Sequence, residues 1–130
     1  MTNKIERFED LEVWKTAMEC AKLVYDATSN GKFSQDYVLR DKIRRAAVSF
    51  FSNIAEGFER DGNKELGNFL TIAKGSCGEA RAQAIFANKL GYLSSQEFDE
   101  LSAILVKTSR QLSGFRTYLR RSDFKGRKIL

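Results

Sequence analysis

The chain of 130 residues contains no histidine and no proline. The first absence removes the commonest general base and a leading metal ligand. The second removes the strongest helix breaker, which suits long uninterrupted helices. Cysteine is scarce. Cys20 and Cys77 are the only two, and each sits inside a helical apolar pattern. A small secreted chain stapled by disulfides would carry more. Both are read as small buried hydrophobes in a reducing cytoplasm. With no imidazole to complete a two-thiolate set, no metal is expected, and nothing suggests another cofactor. No window approaches 18 uninterrupted apolar residues, so no membrane span is expected. Residues 1–10 mix charges with few apolar side chains and lack the apolar core of a secretory signal.

The 42% of hydrophobic residues supply one core, so residues 1–130 are expected to form a single domain. The hydrophobic period is helical almost throughout. In the first stretch Leu11, Trp14, Met18, Ala21 and Tyr25 recur at spacings of three and four, with Asp10 as the expected N-cap and Ser29-Asn30-Gly31 as the stop. The second runs from about Asp36 to Phe58 through Leu39, Ile43, Ala46, Phe50, Ile54 and Gly57. Asp61-Gly62-Asn63 breaks it. The third starts near Lys64 and follows Leu66, Leu70, Ala73, Cys77, Ala80, Ala84 and Ala87 as far as Leu90-Gly91. The fourth opens on Ser94-Ser95-Gln96-Glu97, a capping-box pattern, and continues through Phe98, Leu101, Leu105, Thr108, Leu112, Phe115 and Leu119. No segment alternates with a period of two. The expected fold is all-α, an antiparallel up-down-up-down four-helix bundle.

Two helices carry more than an inner stripe. Gly67, Thr71, Gly75, Gly78 and Ala82 follow one another along the outer side of the third, and Ile85 and Phe86 extend that side. Interior glycine costs about 1 kcal/mol relative to alanine, so three of them weaken this helix by roughly 3 kcal/mol. Close approach of another backbone would offset the loss. On the second helix Ala47, Phe51 and Phe58 lie to one side of the seam. A homo-oligomer is therefore expected, with Phe51, Phe58, Gly67, Thr71, Gly75, Gly78 and Ala82 in its contacts. The alternative is a monomeric bundle whose glycines ease local crowding.

Charge is unevenly spread. Residues 107–130 hold Lys107, Arg110, Arg116, Arg120, Arg121, Lys125, Arg127 and Lys128 against Asp123 alone, a net of +7. Residues 1–106 hold 14 basic and 16 acidic residues, a net of −2. Lys107, Arg110 and Arg121 fall opposite the seam and should face water. Arg116 and Arg120 flank it, within reach of acids on a neighbouring helix. Such a segment suits a helix C-terminus and keeps a protein soluble. It also attracts phosphate backbones, and assembly would multiply the field. Tyr118 and Phe124 are placed to stack on bases. The apolar face of this helix is needed by the bundle, so no membrane partner is expected.

Glu56 and Arg45 share the far face of the second helix, with Ser49 and Ser52 between them. No histidine or carboxylate pair supplies a base for either serine, and the glycines lie inside a helix rather than in a phosphate-cradling loop. These polar groups are expected to make hydrogen bonds or ion pairs, Asp41 with Arg45 among them. No catalytic residues and no enzymatic activity are expected.

Several segments resemble one bacterial family. Phe8-Glu9-Asp10-Leu11-Glu12-Val13-Trp14-Lys15 resembles the opening of the 23S rRNA intervening-sequence proteins. Ile43-Arg44-Arg45-Ala46-Ala47-Val48-Ser49 with Ser52-Asn53-Ile54-Ala55-Glu56-Gly57 is similar to that family's second-helix signature, and Phe69-Leu70-Thr71-Ile72-Ala73-Lys74-Gly75-Ser76 with Glu79 to its third. Leu90-Gly91-Tyr92-Leu93 matches the turn before its last helix. The resemblance covers nearly the whole chain. It implies a four-helix bundle that assembles into a ring, commonly a homopentamer. Some members are encoded within sequences that interrupt large-subunit rRNA genes, and relatives are basic accessory proteins of diversity-generating retroelements, where nucleic-acid binding is implied. The chain departs at Phe50-Phe51, where the family pattern usually reads Ile-Pro, so its second helix is expected to be straighter. The resulting expectation is a non-enzymatic, cytoplasmic ring that binds RNA or DNA through its basic C-terminal surface with little sequence readout. The alternative is a homo-oligomeric protein-interaction scaffold.

Overall fold

A computed structural model describes residues 5–122, and among them there are only helices and turns. A 3-10 turn, Phe8–Asp10, precedes α1 (Glu12–Ala27), α2 (Gly31–Gln35), α3 (Tyr37–Glu59), α4 (Asn63–Lys89) and α5 (Ser95–Arg121). Four of the helices are long. α3 packs on α1 and α4, and α5 packs on α4 and α1, so the four close around one core as a bundle. No helix among the described residues is long and apolar enough to cross a membrane.

The helix ends follow local chemistry. Asp36 caps α3 by accepting from the Leu39 amide at 3.1 Å, and its other oxygen accepts from the Tyr92 hydroxyl at 2.9 Å. One carboxylate thus ties the start of α3 to the turn after α4. Ser94 and Glu97 form the full capping box of α5. Gly91, with φ +77°, takes the left-handed conformation that ends α4. Gly62, with φ +100° and ψ 150°, takes an extended positive-φ conformation open to glycine at the turn into α4. At α1 the expected cap is wrong. Asp10 belongs to the 3-10 turn and pairs with Arg7 at 3.7 Å, so extended Leu11 precedes the helix without a side-chain cap.

Two more expectations need correction. The expected stop at Ser29-Asn30-Gly31 and the expected start near Asp36 leave residues 32–35 unassigned, and the stop itself runs into α2 at Gly31. Phe33 makes this segment a helix, because that ring is fully buried and lies 5.3 Å from the Tyr92 ring. On α1 the buried stripe is Val13, Ala17, Cys20, Ala21 and Val24, while Met18 and Tyr25 are exposed. Small side chains, not the large ones, face the seam there. The stripes of α3 and α4 bury as expected, and that of α5 does so except at Phe98 and Phe115, which are half-buried. Phe50 is fully buried, and Trp14 and Phe115 pack on the core from its edge. α3 is continuous through Phe50-Phe51.

Candidate functional site

The fold divides the basic residues of the last helix into sets. Leu101, Leu105, Leu112 and Leu119 turn inward, which leaves Lys107, Arg110 and Arg121 exposed on the opposite side. Arg116 and Arg120 point towards α4 instead. They line a groove of about 300 Å³ together with Asn63, Lys64, Gly67 and Thr71. Neither meets the acid expected of it. Arg116 donates from Nη1 to Thr71 Oγ1 at 3.2 Å, and its Nε is buried without a partner. The facing surface of α4 offers a hydroxyl and amides here, and Glu65 is drawn away to Arg60 at 3.4 Å. Lys125, Arg127 and Lys128 lie outside the described residues, as does Phe124. Tyr118 is exposed beside Phe115, with ring centroids 6.5 Å apart.

Cations elsewhere near this end are matched. Arg7 meets Glu9 and Asp10, Lys15 meets Glu12, and Arg60 meets Glu56 and Glu65. From Lys107 to Ser122 there are five basic residues and no acidic one. The unbalanced charge is therefore a property of α5 and of the groove beside it.

The polar residues of α3 show no nucleophile with a base. Ser49 Oγ lies 2.9 Å from Ser76 Oγ and accepts from Asn53 Nδ2 at 2.8 Å, a small network joining α3 to α4. Glu56 pairs with Arg60, and Asp41 takes Arg40 Nε at 2.9 Å rather than Arg45. Adjacency in sequence wins because the Arg40 guanidinium folds back over Tyr37, 4.8 Å from its ring centre. Among the described residues no three histidine, cysteine or carboxylate groups gather to hold a metal. Burial pushes both thiols up to about 12, so neither is a nucleophile at neutral pH.

The expected second face is half present. On α4, Thr71, Gly75, Gly78 and Ala82 are exposed and Gly67 is half-buried. A Cβ at any of the three glycines would meet nothing within 4 Å. Ile72 and Phe86 stand beside them, 52% and 53% exposed. Sequence reasoning misses Ile72 on this face. Its signal is a β-branched apolar residue outside the seam, close to Gly75 along the helix. On α3 the expectation fails for Phe58, which is only 3% exposed, and Ala47 is fully buried. α3 packs on both α1 and α4, so its buried arc is wide enough to take both. Phe51 is half-buried, edge-on to Trp14 at 6.4 Å, and lines a shallow apolar groove with Met18, Tyr25 and Val48.

Comparison with solved structures gives the same architecture. One match is the crystal structure of a protein of unknown function from the S23 ribosomal protein family of Bacteroides thetaiotaomicron, with a TM-score of 0.73 and 18% identity. The match covers 80% of this chain and 97% of that one. At that identity it establishes the fold alone. No curated protein matches the chain. The sequence model of the family described as 23S rRNA-intervening sequence protein matches residues 9–114, which contain nearly all of the motifs quoted above. The chain therefore belongs to the 23S rRNA-intervening sequence protein family.

Proposed function

We propose that this protein is a non-enzymatic, self-assembling bundle that binds the phosphate backbone of RNA or DNA through the solvent face of α5. The observation that carries the reading is the outward row Lys107, Arg110 and Arg121, in a stretch with no acid to neutralise it. Such a row reads charge rather than sequence, since no base-reading device accompanies it. Binding to a short RNA, followed by fluorescence anisotropy, should weaken steeply with salt. Replacing the three by alanine should lower the salt slope by about one for each phosphate no longer neutralised. No binding at low salt would overturn the reading.

The helices are read as up-down-up-down. Ser49 meeting Ser76, and Gly57 lying beside Leu66 and Phe69, support opposed directions for α3 and α4. Lys74 bonded to Ser109, and Thr71 to Arg116, support the same for α4 and α5. Assembly into a ring, with five copies as the resemblance implies, is supported by the exposed small-residue side of α4 with Ile72 and Phe86. Light scattering that gave only a 14.8 kDa particle would refute assembly. Gly75→Leu should break the assembly and spare the fold. A cytoplasmic setting accords with two buried, unpaired thiols. The same apolar side favours the second reading, a scaffold that recruits another protein. Partner capture that survives nuclease treatment would support it.

A further inference from the structure

The groove between the first turns of α4 and the last turns of α5 differs from the outward basic row. It is concave, and its charge comes from two elements. Lys64 on α4 and Arg116 and Arg120 on α5 all line it, and among the described residues no acidic one does. Arg116 is held in place. Thr71 Oγ1 donates to the Gly67 carbonyl at 3.1 Å and accepts from Arg116 Nη1 at 3.2 Å. The Arg116 Nε–H is left buried and unpaired. Buried donors without acceptors are rare because each forfeits its hydration, so the hydrogen bonding of this guanidinium is incomplete within the described residues. The volume, about 300 Å³, is at the small end of ligand pockets.

The charge count selects among anions. A backbone phosphodiester carries one negative charge, whereas a phosphate monoester carries close to two at neutral pH. Three cations lining one groove, with no carboxylate among its described lining residues, match the monoester better. Guanidinium forks suit its three terminal oxygens, and Lys64 supplies a point charge. The Asn63 and Asn68 amides at the rim can donate to neutral oxygens of the same ligand. Gly67 leaves the floor open, since no side chain projects from it.

We propose that this groove binds a phosphate monoester between Lys64, Arg116 and Arg120, supplied either by the phosphorylated end of a nucleic-acid strand or by a free nucleotide. The site does not depend on the backbone-binding reading, which uses other residues.

Calorimetry on the full chain tests it with four probes: inorganic phosphate, adenosine monophosphate, and one short single-stranded RNA carrying either a 5′-phosphate or a 5′-hydroxyl. The phosphorylated strand should bind about tenfold more tightly than its hydroxyl twin, the equivalent of one further hydrogen bond to a charged group. Tight binding of the mononucleotide as well would assign the groove to free nucleotides, and its absence would assign it to strand ends. Arg120→Gln alters an exposed side chain, and Arg116→Lys keeps the charge but removes the fork. Each should cost about tenfold in affinity for the monoester. Replacing Lys107, Arg110 and Arg121 by alanine should leave monoester affinity unchanged while weakening the hydroxyl strand. Equal binding of the two strands with no heat from phosphate or nucleotide would overturn the proposal, as would monoester binding indifferent to both groove variants. Failure of backbone binding alone would show as a hydroxyl strand that never binds, with the groove result intact.

Discussion

Where α3 meets α4, a Cβ on Gly57 would stand 2.7 Å from Phe69 Cβ and 3.1 Å from Leu66 Cδ1. On the outer side of α4, a Cβ on Gly67, Gly75 or Gly78 would meet nothing within 4 Å. The same residue type thus answers to different constraints on the two sides of α4. Inside, glycine is required because Phe69 and Leu66 occupy the space a side chain would need. Outside, nothing among the described residues requires it, and the helix gives up about 1 kcal/mol at each position relative to alanine. The comparison teaches that the outer glycines are explained by something beyond a single chain, or not at all.

Mutation separates the two sides. Gly57→Ala should show the largest effect, lowering stability by about 1–3 kcal/mol in urea denaturation despite the better helix propensity, because Phe69 and Leu66 must move. A neutral result would mean the seam is looser than its distances say. The inner side also predicts an alkaline effect. Cys20 and Cys77 are raised from 9 to about 12 by burial. The folded chain therefore keeps two protons that the unfolded chain releases above pH 9. Their stabilisation is complete below pH 9 and should be lost as pH rises towards 12, by up to about 1.4 kcal/mol per pH unit for each thiol. A Cys20→Ala, Cys77→Ala chain should lose that part of the slope in pH-dependent denaturation. The Tyr92 hydroxyl, raised by its hydrogen bond to Asp36, contributes in the same direction above pH 10.

Asp36→Ala removes both the α3 cap and the Tyr92 bond, and thermal denaturation should report a loss of about 1–2 kcal/mol. The smallest effects belong to the outer side, and they have the opposite sign. Gly75→Ala and Gly78→Ala should each stabilise the single-chain fold by about 0.5–1 kcal/mol. If these residues touch a second copy, the same variants should weaken self-association measured by sedimentation. Stabilisation without any change in association would leave the outer glycines unexplained.

Much of this was legible in the sequence, for a specific reason. The stripes of α3, α4 and α5 hold their period over 23 to 27 residues, and a helical period that long leaves little choice of face. α1 has 16 residues, and its large side chains are a poor guide. Met18 and Tyr25 look like core by size, but the residues buried there are Ala17, Cys20 and Val24. The sequence places Arg116 and Arg120 correctly beside the seam. It does not give their partners, because a wheel gives direction but does not say which neighbouring residue stands at the same height. Thr71 and Lys64 come to Arg116 and Arg120 only once α4 is set against α5. Phe58 fails as a surface residue for a related reason, since one helix alone does not reveal how many neighbours it has.

By itself the sequence determined the long helices, most of their ends, the inner faces of the three longest and the basic bias of the last, because each depends on residues close together along the chain. The tertiary structure alone decided that Asp36 locks onto Tyr92, that Gly57 admits Phe69, and that Lys64, Arg116 and Arg120 line one groove. Those facts join different helices and turns, and their distances are fixed only when the helices pack.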